Sequence, residues 1–189
     1  LVVKASFFLL LRLWFDVFTT AVTVHISDIL GLMGAAAVFW GSLNALRAKR
    51  LKLLVAYSTV AQLGYLFLVF PLVGTLKDGA TAWLGCIYFI LAHACAKAAA
   101  FFSAGAVQYA LGHDNIDDMA GIVRCLPVPV FAFAIAAISL IGLPPSGGFI
   151  AKWLLINAAL VQGQWWWVVL ILAGGLFSAA STTPWSKEV

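Results

Sequence analysis

The sequence predicts an all-α, polytopic transmembrane helix bundle, and three observations carry that prediction. The chain has 189 residues, 64% of them hydrophobic and 10% charged, whereas a soluble domain is about 45–50% apolar and about one quarter charged. Its mean hydropathy is +1.06. Apolar runs recur at residues 29–46, 53–73, 81–111, 127–160 and 165–181, each long enough to cross a hydrocarbon core of roughly 30 Å. Only helices and closed barrels satisfy their backbone in lipid, and these runs are too long for barrel strands. A soluble bundle of this composition would have almost no polar surface to offer water.

The elements follow in order. Residues 1–15, "LVVKASFFLLLRLWF", read as a span cut short. Residues 16–28 read as a loop holding Asp16, His25 and Asp28. The 29–46 span follows, and then "RAKRLK" (47–52) puts four cations into one short connection. Under the positive-inside rule that connection is cytoplasmic, or on the matrix side in an organelle, and the inner or plasma membrane of a prokaryote is the expected location. The 16–28 loop and the Lys77–Asp78 turn then face the opposite side, and "GHDNIDDMAGIVR" (112–124) returns to the cytoplasmic one. His113, Asp114, Asp117 and Asp118 read as solvated loop residues. "GLMGAAAVFWGS" (31–42), "AHACAKAAAFFSAGA" (92–106) and "AGGLFSAAS" (173–181) supply small residues, which let helices approach closely. Trp165, Trp166 and Trp167 open the last span as an interfacial belt. Cys86 and Cys95 read as small buried hydrophobes. The chain starts at Leu1 within an apolar run and closes on "STTPWSKEV", so it is expected to be a piece of a longer membrane protein with an atypical tail at 182–189.

The 81–111 and 127–160 runs exceed the roughly 20 residues a crossing takes. The second contains "GLPPSGGFIAKW" (142–153). Proline removes a backbone donor and clashes with the preceding turn, and glycine permits non-helical torsions. Pro144, Pro145, Gly147 and Gly148 therefore predict two half-helices joined by an unwound hinge near 144–148. Broken backbone at membrane depth persists only where it is buried in protein or lines a watery cavity, and transporters place it at ion sites.

Ionisable side chains inside spans are expensive and mark ion or proton routes. Lys4, His93, Lys97 and Lys152 are the candidates. His93 and Lys97 lie four residues apart, on one helical face. An amine taken out of water gives up its proton more readily than one in solution, and imidazole exchanges protons near neutral pH unaided. Such a row, with Tyr57, Ser58, Thr59 and Gln62 as supporting polar groups and Asn44 on the preceding span, has the composition of a proton relay. Each helper taken singly also fits a plain helix–helix hydrogen bond. No phosphate loop, nucleophile–base pair or metal cluster is present, so no cofactor, metal or redox or hydrolytic centre is expected in this chain. Six residues between two spans offer no nucleic-acid surface.

These residues resemble the proton-antiporter module shared by the antiporter-like subunits of respiratory complex I, the large subunits of Mrp-type cation/proton antiporters and subunits of membrane-bound hydrogenases. "LNALRAKRLKLLVAYSTVAQLGY" (43–65) is similar to the family's basic loop and following Ala-Tyr-Ser-Thr helix. "LAHACAKAAAFFSAG" (91–105) is similar to its His-x-x-x-Lys helix, and "SLIGLPPSGGFIAKW" (139–153) to its broken helix with a following Lys. "VKASFFLLLRLW" (3–14) is similar to the Lys helix that closes its first inverted repeat. The resemblance implies that 1–15 ends the first five-helix repeat and 29–181 is the second. It implies Lys4 and Lys97 on a central hydrophilic axis beside His93, and Lys152 in an outlet half-channel. The Glu and Lys of earlier helices are not in this chain, and the tail departs from the family pattern. Lys at 152, where some members carry Glu, leans toward an Mrp-type or hydrogenase-linked subunit.

The implied function is translocation of protons, with Na+ or K+ as further candidates, by a subunit working beside other membrane subunits in the bilayer. Two other readings stand: a small-molecule secondary transporter sharing the broken-helix device, and a structural or non-functional membrane segment.

Overall fold

The computed structural model describes residues 2–18, 24–73, 79–119 and 121–188, with the side chains of 2, 24, 25 and 183–188 outside the description. All regular elements of the described residues are helical: α1 (Val2–Arg12), α2 (Val24–Leu46), α3 (Leu51–Phe67), α4 (Val69–Val73), α5 (Ala80–Leu111), α6 (Pro127–Ile141), α7 (Gly147–Val161) and α8 (Trp165–Glu188). Among the described residues, four stretches are long and apolar enough to cross a membrane: Ile26–Leu46, Leu51–Val73, Ala80–Leu111 and Trp165–Thr182.

Several expected boundaries move. The run at 16–28 is not one loop, because a π-type turn occupies Leu13–Val17 and α2 already includes His25 and Asp28. Lys77 and Asp78 lie outside the described residues. The 53–73 span bends at Leu68 into the short α4, whose residues are all buried. α5 is one unbroken helix, about 48 Å long at 1.5 Å per residue, so its excess length extends it past a single bilayer core. It ends on Gly112 in the left-handed region (φ 79°). α8 stays helical to Glu188, so the expected tail at 182–189 continues the last helix that far.

The broken helix is observed, with a shifted break. α6 stops at Ile141, Gly142 caps it at φ 88°, and Ser146 caps α7, its side chain accepting from Phe149 N at 3.3 Å. The unwound stretch is therefore 142–146, including a cis Pro144–Pro145 bond. Gly147 and Gly148 are not hinge residues but the first turn of α7.

α2 packs along α3, α5 along α6 and α7, and α8 closes the bundle against α2, α6 and α7. The α2–α3 contact depends on missing side chains: a Cβ on Gly34 would lie 2.6 Å from Gly64 O, and one on Gly64 2.4 Å from Gly34 O. Two apolar cores result. One joins Phe7, Phe70, Tyr65, Phe89, Leu155 and Trp167, and the other joins Leu54, Val55, Ala100, Val107, Met119 and Phe133. Trp165 and Trp166 are exposed as an interfacial belt requires, but Trp167 is buried in the first core. Cys86 is buried, whereas Cys95 points outward.

Asp114 also departs from the expected solvated loop, since it is 4% exposed. Arg50 Nε donates to its Oδ1 at 2.8 Å. Leu51 N donates to Asp114 O and Ile116 N to Lys49 O, at 2.8 and 2.9 Å. This clasp ties the 47–50 turn to the 113–116 segment, so the ends of α2, α3 and α5 share one membrane face. α8 packs on the 3-10 turn Ile116–Asp118 beside it.

Candidate functional site

Three of the four expected relay groups, Lys97, His93 and Lys152, are buried at the centre of the bundle. Lys97 sits midway along α5, where a long apolar helix on either side keeps it from reaching an interface. Its Nζ donates to Val55 O at 2.8 Å and to Ser58 Oγ at 2.5 Å. Val55 O also accepts from Ser58 Oγ and Thr59 Oγ1, both at 2.9 Å. One backbone carbonyl of α3 thus gathers two hydroxyls and an ammonium. This places Ser58 and Thr59 beside Lys97, as the sequence suggested. Tyr57 is half-buried and has no place in that cluster, and Asn44 bonds back to Trp40 O of its own helix at 2.8 Å.

His93 lies one turn before Lys97, its ring 6.0 Å from that of Phe89. Neither ring nitrogen has a partner among the described residues. A cavity of about 10 Å³ borders His93, Gln62, Ser139 and Gly148, near the room one water needs.

Lys152 rises from the second turn of α7 to the broken end of α6. Its Nζ donates to Ile141 O at 2.8 Å and Leu140 O at 3.1 Å. Those carbonyls are free because a helix leaves its last four C=O groups without intrahelical partners, and the C-terminal end of a helix carries partial negative charge. The hinge therefore makes the site that holds the ammonium. Gln62 Nε2 donates to the same Leu140 O at 2.8 Å, so α3 and Lys152 meet on one atom. Sequence reasoning missed Tyr65. Its ring lies 4.8 Å from Lys152 Nζ, within the cation–π range, and its hydroxyl is buried without a partner. Three residues past Gln62 on α3, it was readable only as another aromatic in an apolar helix.

Gln62→Leu removes the α3–α6 tether at nearly constant volume. Interhelical hydrogen bonds in membranes average about 0.6 kcal/mol, so the thermal midpoint of the variant in detergent is expected to fall only slightly. Loss of folding would show instead that Gln62 holds the break open.

Lys4 is half-buried on α1. With Lys97, Thr59, Leu63, Ala94 and Phe101 it lines a cavity of about 250 Å³. Lys4 and Lys97 thus share one cavity, which Lys152 does not line; Lys152 meets Gln62 at Leu140 O, and Gln62 and Leu140 border the small cavity at His93. Among the described residues, no three His, Cys, Asp or Glu side chains come together as a metal site.

Residues 1–178 match the model of the family described as NADH:quinone oxidoreductase/Mrp antiporter, transmembrane. The NADH-quinone oxidoreductase subunit N of Desulforudis audaxviator is 37% identical over 163 residues, covering 86% of this chain and 32% of that protein. A chain of the Mrp complex from Dietzia sp. DQ12-45-1b superimposes with a TM-score of 0.80 at 28% identity, over 88% of this chain and 30% of that one. A chain of respiratory complex I from Thermus thermophilus gives 0.64 at 29% identity, over 86% and 36%. The chain thus spans about a third of the length of each of these relatives.

Proposed function

The chain belongs to the NADH:quinone oxidoreductase/Mrp antiporter transmembrane family, and from that premise we propose that it moves protons across the membrane as part of a multisubunit complex. The observation that carries this reading is Lys97, an amine buried in the bundle on Val55 O and Ser58 Oγ, with Lys4 lining the same cavity and Lys152 held on the open end of α6. Protons step between Lys4 and Lys97 within their shared cavity. From Lys97 they pass His93 and the small cavity at Gln62 and Ser139 to reach Lys152. Each ammonium raises the cost of charging the next, which gives the transfer its drive.

The chain's own residues bind and pass protons. In this reading 1–15 closes a first inverted repeat and 29–181 forms the second. The 47–52 loop faces the cytoplasm, the membrane is the inner membrane of a prokaryote, and Na+ or K+ are candidate coupled ions. Lys at 152 favours an Mrp-type or hydrogenase-linked subunit. Other membrane subunits are the partners, as they are for the complex I and Mrp relatives.

The test is proton flux into proteoliposomes holding the full-length subunit in its complex, followed with an internal pH dye. Lys4→Met is expected to slow flux severalfold while assembly is kept, because the neighbour charge across the cavity is gone. Flux at the wild-type rate would remove Lys4 from the row. Uptake of an organic solute by the subunit alone would favour a secondary transporter instead.

A further inference from the structure

The partners of Lys152 Nζ all present negative potential. An ammonium has three N–H donors and no acceptor. Two of them reach Ile141 O at 2.8 Å and Leu140 O at 3.1 Å. The remaining side is covered by the Tyr65 ring, whose centroid is 4.8 Å from Nζ. The face of an aromatic ring carries the negative part of its quadrupole and attracts a cation within about 6 Å. Lys152 and Tyr65 are 6% and 1% exposed, so bulk water does not compete for that side.

The ring is fixed where it lies. Tyr65 belongs to α3, and its ring packs on that of Phe89 of α5, centroids 5.8 Å apart. On α8, Gly174 leaves the room that the phenol fills, since a Cβ there would collide with Tyr65 Oη. The hydroxyl has no hydrogen-bond partner among the described residues, so no polar tether of its own accounts for the ring's position. What α3, α5 and α8 hold against the lysine is a π face.

A neutral amine fits the same place poorly. Losing its proton leaves Nζ with two N–H bonds and a lone pair. Neither a carbonyl oxygen nor a ring face donates to a lone pair, so at least one of the three partners then opposes it. The nook thus separates the two forms of one side chain. We propose that Tyr65 is a positioning residue for Lys152: its ring face completes a seat on the broken end of α6 that holds the lysine while it carries a proton and releases it once the proton has left. The inference rests on the relay reading and assigns, within it, the group that decides where Lys152 stands. Tyr65 itself makes and breaks no covalent bond.

The test replaces Tyr65 by phenylalanine and by its difluoro and trifluoro forms in the full-length subunit in its complex. Fluorine withdraws charge from the ring face at nearly constant volume. Proton flux into proteoliposomes and the thermal midpoint are read for each. Tyr65→Phe keeps the face and is expected to stay within about twofold of the wild-type flux. Flux is expected to fall stepwise with fluorine content, roughly tenfold for the trifluoro ring, at an unchanged midpoint. Flux independent of fluorine content overturns the proposal, and so does loss of flux in Tyr65→Phe, which would assign the work to the hydroxyl. A flux that falls only in step with the midpoint also overturns it, because packing alone explains that result. Lys152→Met, run in parallel, separates the two claims. If it abolishes flux while the fluorine series is flat, the seat fails and the relay stands. If Lys152→Met pumps normally, the relay fails at Lys152 and the seat with it.

Discussion

Lys97→Met in the intact protein is expected to lower proton flux by roughly 10²-fold, the scale on which a positioned proton-transfer group contributes, without unfolding the bundle. Methionine fills nearly the same volume and buries no charge. Removing a buried ion from an apolar interior is often neutral or stabilising when the replacement packs well. The cost of this change is confined to Val55 O and Ser58 Oγ, which lose an incoming donor but keep their bond to each other at 2.9 Å. The thermal midpoint is therefore expected to stay level or rise as the flux disappears. Lys97→Arg sharpens the result. Guanidinium keeps the charge and the donors but does not deprotonate in proteins, so it preserves any structural role and blocks proton release. A relay lysine fails with both substitutions. A structural lysine is rescued by Arg, and rescue of flux by Lys97→Arg would remove Lys97 from the proton path.

What the sequence made legible were features that lipid enforces. A Lys at 97 with long apolar flanks has nowhere to snorkel, so its burial followed from helix length alone, and the His93 spacing set both groups on one face. The Pro-Pro pair at 144–145 announced a break because no α-helix accommodates it in its interior. The position of the break was less legible. Gly147 and Gly148 looked like hinge residues, but a serine at 146 can cap a helix, and that cap draws both glycines into α7. Gly142, by contrast, carries the left-handed turn at φ 88° and read as just another small residue.

Contacts made to backbone atoms of distant helices were not legible. Leu140 O receives Gln62 and Lys152 from 78 and 12 residues away, and a backbone acceptor leaves no trace in residue identity. Tyr65 escaped notice because its partner is a lysine on α7. Asp114 was read as solvated because it lies in a connection between spans. Its burial follows from the clasp with Arg50 and the 47–50 turn, a long-range pairing of two loops. The 182–189 stretch, read as an atypical tail because it breaks the style of the span before it, is helical as far as Glu188.

Gly148→Ala should be the most damaging added methyl among the described glycines. A Cβ there would lie 1.8 Å from Ser139 O and 2.9 Å from its carbonyl carbon. Both are backbone atoms, so no rotamer change relieves the clash, and α7 must move off α6. Overpacking of this kind costs about 1–3 kcal/mol, at times more. The displacement also acts on function. The stem of Lys152 runs over Gly142, with Cδ 2.9 Å from where a Cβ on that glycine would sit, and its Nζ reaches Ile141 O at 2.8 Å. Pushing the first turn of α7 outward opens that distance and uncouples the ammonium from the α6 carbonyls. Gly148→Ala is thus expected to lower the thermal midpoint in detergent and reduce proton flux together. Gly105→Ala is the control: a Cβ there meets nothing within 4 Å, and replacing a mid-helix glycine gains roughly 0.5–1 kcal/mol, so its midpoint should hold or rise. A Gly148→Ala variant as stable and active as the Gly105→Ala control would mean that α6 and α7 do not meet as closely as the site requires, and that Lys152 is not held on the broken end of α6.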